Sequence, residues 1–147
     1  TAFQPLPHRV QFLGESKRGV RYVDDSKATS LAATAAALRM VRAPVRLIAG
    51  GLLKEDDLET IKELLTQRTK KVYLIGRCSG QMFRAWSTSV LCEECGTLEC
   101  AVAAAAREAQ TGETVLLSPG TASFDQFTSY RERGERFTAQ VRAVADL

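Results

Sequence analysis

Short apolar runs alternate along this chain with longer stretches whose apolar residues recur every three or four positions, the pattern of a layered α/β fold. Apolar segments at 10–13 and 20–23 flank a polar, glycine-bearing stretch at 14–19 and predict a hairpin. A helix over 31–41 follows, with Leu31, Ala35, Leu38 and Val41 on one face, and Pro44 ends the connection. Residues 45–49 predict a buried strand closing on Gly50-Gly51. Asp56 or Asp57 is placed to cap the next helix, whose apolar face is Leu58, Ile61, Leu64 and Leu65. Residues 72–76 repeat the pattern of a buried strand ending in glycine, followed by a short helix at 80–86 and a short strand at 89–92. Leu98, Ala101, Val102, Ala105 and Ala109 predict a fourth helix that stops near Gly112. The last strand is expected at 115–118, and the last helix from near Ser123 through Phe127, Tyr130, Phe137, Val141 and Val144.

The expected architecture is therefore a three-layer Rossmann-like α/β domain, with a mostly parallel sheet, flanking helices and an N-terminal β-hairpin. Thr1-Ala2-Phe3-Gln4-Pro5-Leu6-Pro7 reads as extended, since each proline biases its predecessor away from helix. Residues 1–8 are thus expected as a lead-in from a neighbouring domain, and residues 9–147 as the domain itself. In such sheets ligands gather outside the carboxyl ends of the strands, which directs attention to the segments 24–30, 50–57 and 118–126.

Composition narrows the field. With 147 residues, 45% of them hydrophobic, the chain has enough material for one core. A net charge of +3 is spread over 20 basic and 17 acidic residues with no long basic run, which argues against nucleic-acid binding but leaves an anionic small molecule open. No apolar run approaches a membrane span and no signal peptide is visible, so a cytoplasmic protein is expected. Cys78, Cys92, Cys95 and Cys100 include one CxxC, but a zinc site normally needs a second ligand pair and the only histidine is His8. Small free thiols are the simpler expectation, and no metal site is assigned.

Three segments are candidates for chemistry. Asp25-Ser26-Lys27-Ala28-Thr29 joins a strand to a helix, so free N–H groups, the Lys27 ammonium and the Thr29 hydroxyl suit an anion, whereas Asp25 suits sugar hydroxyls. The alternative is local: Thr29 or Ser30 caps the helix and Lys27 is solvated. Gly50-Gly51-Leu52-Leu53-Lys54 permits a tight turn, with Lys54 facing an anionic substrate or water. In Ser118-Pro119-Gly120-Thr121-Ala122-Ser123-Phe124-Asp125-Gln126-Phe127, Ser123 and Gln126 have capping-box spacing, which is compatible with Ser123 also holding an anion. No nucleophile–base pair and no phosphate-cradling loop is visible, so a self-contained hydrolase or kinase is not expected.

In their order and intervals these segments resemble the third, C-terminal domain of the Mur ligases. Asp25-Ser26-Lys27-Ala28-Thr29 looks like the DSKAT motif of the D-glutamate-adding branch, the run from Leu117 to Phe127 like its LLSPACASxDQF segment, and Leu6-Pro7-His8-Arg9 like its opening LPHR. Ser30 stands where asparagine is usual, Gly120-Thr121 where Ala-Cys is common, and the Gly50-Gly51 segment is more apolar than is customary. The resemblance implies a cytoplasmic ligase of peptidoglycan synthesis that uses ATP and Mg²⁺, bound mainly by a central domain absent here. It implies that UDP-N-acetylmuramoyl-L-alanine is activated as an acyl phosphate and attacked by the amine of D-glutamate. Arg9, Asp25 and Lys27 would face ATP, with Lys27 also counted as catalytic. Thr29, Lys54, Ser123, Phe124 and Tyr130 would hold D-glutamate. Its partners would be its own N-terminal UDP-binding and central ATPase domains, with no nucleic acid or membrane; the protein would be monomeric and the isolated domain inactive. A domain of another Mur-type or folylpolyglutamate-type ligase, a stand-alone nucleotide-binding or regulatory domain, and a zinc module around Cys92 and Cys95 are the alternatives.

Overall fold

A computed structural model describes residues 8–53, 57–122 and 127–147. A hairpin of β1 (Gln11–Glu15) and β2 (Arg21–Asp24) opens the domain, and α1 (Leu31–Met40) leads to β3 (Val45–Gly50). A 3₁₀ turn (Leu58–Ile61) runs into α2 (Lys62–Arg68), then β4 (Thr69–Ile75), α3 (Ser79–Trp86) and β5 (Leu91–Gly96). The chain closes with α4 (Leu98–Glu108), β6 (Thr114–Leu117) and α5 (Tyr130–Val144). The six strands form one sheet in the order β1-β2-β6-β3-β4-β5. Only β1 runs antiparallel to its neighbour.

The expected three layers are present because the central strands are apolar on both sides, as parallel strands covered by helices must be. One face buries Val45, Leu47, Val72, Leu74 and Leu116 beneath Leu31 and Leu38 of α1, Leu65 of α2, and Met82 and Trp86 of α3. The other face buries Ile48, Tyr73, Ile75, Val115 and Leu117 beneath Leu98, Ala101 and Ala105 of α4 and Phe137 and Val141 of α5. Among the described residues, no helix is long and apolar enough to cross a membrane.

Several expected boundaries move, each for a tertiary reason. The strand expected at 89–92 is Leu91–Gly96, because it pairs with β4 from Lys71↔Leu91 to Ile75↔Gly96 and Lys71 draws in Glu93 at 2.8 Å. β4 itself begins at Thr69, three residues early, because β3 supplies partners from Val45 onward. The helix expected from Leu58 starts as a 3₁₀ turn, and the Asp57 side chain makes no capping bond there. Gly112 does not terminate α4: the helix ends at Ala109 in an extended conformation. Its last carbonyls accept hydrogen bonds from Arg18, at 3.2 Å to Ala106 O and 2.6 Å to Ala109 O. Arg68 does the same for α1 through Leu38 O and Val41 O.

The last helix begins at Tyr130 rather than near Ser123. Ser129 Oγ accepts from the Glu132 N–H and so caps the helix, while Glu132 Oε1 reaches back to the Thr128 N–H; the capping box expected of Ser123 and Gln126 lies outside the described residues. Phe127, expected inside the helix, precedes it and is buried against the α4–α5 side of the sheet.

Candidate functional site

Strands β2, β6 and β3 are adjacent and parallel, so the three candidate segments leave the sheet side by side at one edge. Hydrogen bonds knit them together. Asp25 N–H donates to Leu117 O at 2.7 Å, Gly120 N–H to Ala28 O at 3.0 Å, and Gly50 N–H to Pro119 O at 3.1 Å. Leu52 and Ala122 exchange two bonds of 3.0 Å, a short antiparallel bridge. The β4–α3 turn joins them through Cys78 N–H to Gly51 O. Gly51 sits at φ +143°, and a Cβ there would lie 2.5 Å from Thr121 Oγ1 and 2.6 Å from Ala122 O, so only glycine allows this approach.

The turn at 25–29 rests on buried polar groups. Asp24 accepts from Ser26 N–H at 2.9 Å and pairs through its second oxygen with His8 Nδ1 at 2.6 Å. Asp25, only 3% exposed, accepts from Val10 N–H at 3.0 Å and from the Ser118 hydroxyl at 2.7 Å. Lys27 N–H donates to His8 O. These bonds hold His8 and Val10 at φ +66° and +43°, a conformation costly for side chains other than glycine. His8, assigned from sequence to the lead-in, is therefore bonded into the domain.

Lys27 Nζ lies 5.8 Å from the centre of the Tyr130 ring, Arg131 Cζ lies 5.9 Å from it, and the His8 ring meets it edge-on at 6.3 Å. Lys27 and Tyr130, 103 positions apart by their numbers in the sequence, thus occupy one cationic, half-buried corner. Arg9 is exposed and close enough to Asp25 to favour its charged form. Ser30, not Thr29, caps α1 by accepting from Ala33 N–H, leaving Thr29 half-buried in the turn just before it. Lys54, Ser123 and Phe124 lie outside the described residues.

Three contributors were not singled out from sequence. Arg133 on α5 is fully buried and donates to Ser26 O at 2.8 Å and Thr121 O at 3.1 Å, binding two site segments from beneath. Its signal was present: the helical period places it on the same face as Phe137 and Val141, where a cation is out of place. Gly134 lets α5 press against the turn, since a Cβ there would collide with His8 Nδ1 and Ser26 Oγ. Thr34 of α1 lies 3.2 Å from Ser118 Oγ, and no sequence pattern marks it.

Burial pushes Asp25 up from 3.8 to about 6, even though the bonds from Ser118 and Val10 favour the carboxylate. A folded-state value above the unfolded one stabilises the fold below about pH 3.8, and that contribution disappears as pH rises through about 6. The full difference is on the order of 2–3 kcal/mol. Asp25→Asn is expected to remove this slope, so a plot of wild-type minus variant stability against pH should fall between about 4 and 6. Denaturant titrations giving a pH-independent difference would rule the assignment out.

Among the described residues, no group of three or more His, Cys, Asp or Glu side chains is arranged to hold a metal ion. No disulfide joins any of the four cysteines. Burial pushes the Cys92 thiol up to about 11 and Cys95 to about 12, which disfavours the thiolates that metal binding or nucleophilic attack would use.

A three-layer sheet with three bonded loops at its carboxyl edge, and a turn of the Asp-Ser-Lys-Ala-Thr type at the first of them, defines the class. Residues 8–121 match the family described as Mur ligase, glutamate ligase domain, and the chain belongs to that family. It is 44% identical over 143 residues to the UDP-N-acetylmuramoylalanine--D-glutamate ligase of Desulfatibacillum aliphaticivorans, covering 97% of this chain and 32% of that protein. The enzyme of the same name from Chlamydia felis is 43% identical over 135 residues, 92% of this chain and 32% of the other. The chain thus spans about a third of the length of the relatives it matches. Its fold is shared with the MurF ligase of Thermotoga maritima in complex with ADP, at TM-score 0.60 and 20% identity over 98% of this chain and 33% of that one. The bifunctional folylpolyglutamate synthase/dihydrofolate synthase of Yersinia pestis gives 0.64 and 20% over 92% and 31%.

Proposed function

We propose that this chain is the C-terminal, amino-acid-binding domain of a ligase that joins D-glutamate to UDP-N-acetylmuramoyl-L-alanine at the expense of ATP. The relatives that match nearly the whole chain at 43–44% identity carry that name. The observation that carries the mechanistic part is the bonding of three loops at one sheet edge, which gives a single surface able to close over reacting groups held by other domains.

On this reading Lys27 and Arg9 face the phosphates of ATP and Asp25 its ribose. Lys27 has its ammonium at the site corner beside Tyr130, which suits a point charge that meets an anion on closure. Thr29, Lys54, Ser123, Phe124 and Tyr130 hold D-glutamate, whose two carboxylates call for cations and hydroxyl donors. ATP supplies the phosphoryl group that activates the carboxylate of the acceptor. Mg²⁺ would be held by the upstream domains. The residues of this chain bind, orient and exclude water; they do not themselves attack. The domain is accordingly inactive alone and works in the cytoplasm as part of a monomeric enzyme.

The test is phosphate release from ATP by the longer polypeptide that carries this domain, with UDP-N-acetylmuramoyl-L-alanine and a panel of amino acids. D-glutamate is expected to be required, and Lys27→Ala and Ser123→Ala to lower kcat/KM by about 100-fold or more. Turnover with a different amino acid would refute the named substrate. Activity unaffected by both substitutions would make Lys27 a surface charge and remove Ser123 from the site.

A further inference from the structure

Ser118 stands at the end of β6, fully buried, where the sheet gives way to the loop that crosses the site. Its hydroxyl lies 2.7 Å from Asp25 Oδ2 and 3.2 Å from Thr34 Oγ1. A hydroxyl carries one proton, and the shorter contact is to a carboxylate, which only accepts while it is charged. The proton therefore lies towards Asp25. The Thr34 hydroxyl is directed back to the Ser118 carbonyl at 3.1 Å, closing a small buried circuit.

We propose that Ser118 is a positioning residue of the nucleotide subsite, fixing the orientation of the Asp25 carboxylate and keeping it in its charged, hydrogen-bond-accepting form. The proposal rests on the reading that Asp25 meets the ribose of ATP. A protonated carboxyl would offer a donor in place of one acceptor and would bind two hydroxyl groups less well. Val10 N–H fixes one oxygen and Ser118 the other, so each keeps a lone pair for a ligand.

The surroundings make the serine matter. Asp24 lies next to Asp25 and opposes its charge, while Arg9 favours it. Asp24 is itself engaged by His8 and Ser26 N–H, and from α5 Arg133 donates to the Ser26 and Thr121 carbonyls. Lys27 directs its ammonium over Tyr130. Burial pushes Asp25 up to about 6, against the pull of Ser118 and Val10. Loss of a hydrogen bond to a charged group changes the protonation equilibrium by about tenfold or more. Without the serine hydroxyl, the titration therefore moves to about pH 7 or higher, and much of the carboxylate is neutral under working conditions.

The test has two arms. In the 147-residue chain, ¹³C NMR follows the Asp25 carboxyl against pH in wild type and Ser118→Ala. Ser118→Cys is included because it keeps nearly the same shape with a weak donor, and answers the question if the alanine variant does not fold. In the longer ligase, KM for ATP and kcat are measured across the same pH range. The expected result is an Asp25 midpoint raised by about tenfold in proton affinity, with KM for ATP increased near neutrality and recovering towards alkaline pH. An unchanged Asp25 midpoint in a folded variant overturns the proposal. A raised midpoint with unchanged KM for ATP would uphold the control of Asp25 by Ser118 and instead remove Asp25 from the nucleotide site.

Discussion

Glu113→Ala is expected to destabilise the domain by about 3–5 kcal/mol, a large part of the stability of a domain this size. Glu113 is 4% exposed and lies just before β6, at the end of the sheet away from the candidate site. Its Oε1 accepts from Arg46 Nε at 2.7 Å and from Gln110 N–H at 2.8 Å, and its Oε2 from Lys70 at 2.8 Å. Arg46, 6% exposed, also donates to the Tyr73 hydroxyl at 2.8 Å, which in turn donates to Glu108. Removing the carboxylate takes the acceptor from buried Arg46 Nε and leaves the guanidinium only the Tyr73 hydroxyl and the more distant Glu108 carboxylate at 3.7 Å, and that loss dominates the cost. Lys70 is half-exposed and adds little.

The pH dependence gives a second check. Burial alone would raise the Glu113 pKa, but the bonds from Arg46, Lys70 and Gln110 outweigh it and hold the carboxyl below its ordinary 4.5. A depressed folded-state value means the stabilisation is present above about pH 4.5 and is lost as pH falls through the folded value. Denaturant melts should therefore show the Glu113→Ala deficit at pH 7 shrinking in acid. The double replacement Arg46→Met with Glu113→Leu is expected to cost far less, because the one charged partner left unpaired, Lys70, is half-exposed and no buried charge is stranded. A single-variant deficit below about 1 kcal/mol would mean the network is more solvated than its burial implies.

Arg133→Met is the second large effect, expected to cost about 2–5 kcal/mol and to impair catalysis in the longer enzyme. Methionine fills most of the space but donates nothing. The Ser26 and Thr121 carbonyls, both within the buried site floor, would lose the donor that Arg133 supplies. Those carbonyls belong to different loops, so the variant should loosen one against the other. On the proposed function, the kinetic signature is a rise in KM for both ATP and D-glutamate, not for one alone. Arg133→Lys should recover part of the stability but little of the alignment, since an ammonium lacks the planar fork. Wild-type KM values in a destabilised Arg133→Met enzyme would confine Arg133 to the core.

How much of this was legible along the chain depends on the range of the interaction. Both helix and strand periods are local, so alternating apolar runs were enough for the three layers, and strand-end segments were enough to point to one sheet edge. That these segments share the carboxyl edge follows from the parallel sheet, whereas their adjacency was decided by the strand order β2-β6-β3. Boundaries failed where a distant partner set them. Glu93 joined β5 because Lys71 faces it, and α4 ended at Ala109 because Arg18 reaches across to its carbonyls. The capping box expected at Ser123 and Gln126 lies outside the described residues, and Ser129 and Glu132, at the same spacing, stand where the last helix begins.

The site shows the same division. Lys27, Asp25 and Thr29 stand out as candidates in the sequence because a strand-to-helix turn advertises its chemistry within five residues. That Asp25 is buried, and bonded to Val10 and Ser118, follows from contacts across 15 and 93 positions, which no local pattern encodes. Arg133 is intelligible only once α5 lies under two loops and its charge has carbonyls to meet. Residue type and spacing fix what each segment is able to do, whereas burial and long-range partners, which arise only on folding, decide the charge state and orientation in which it does so.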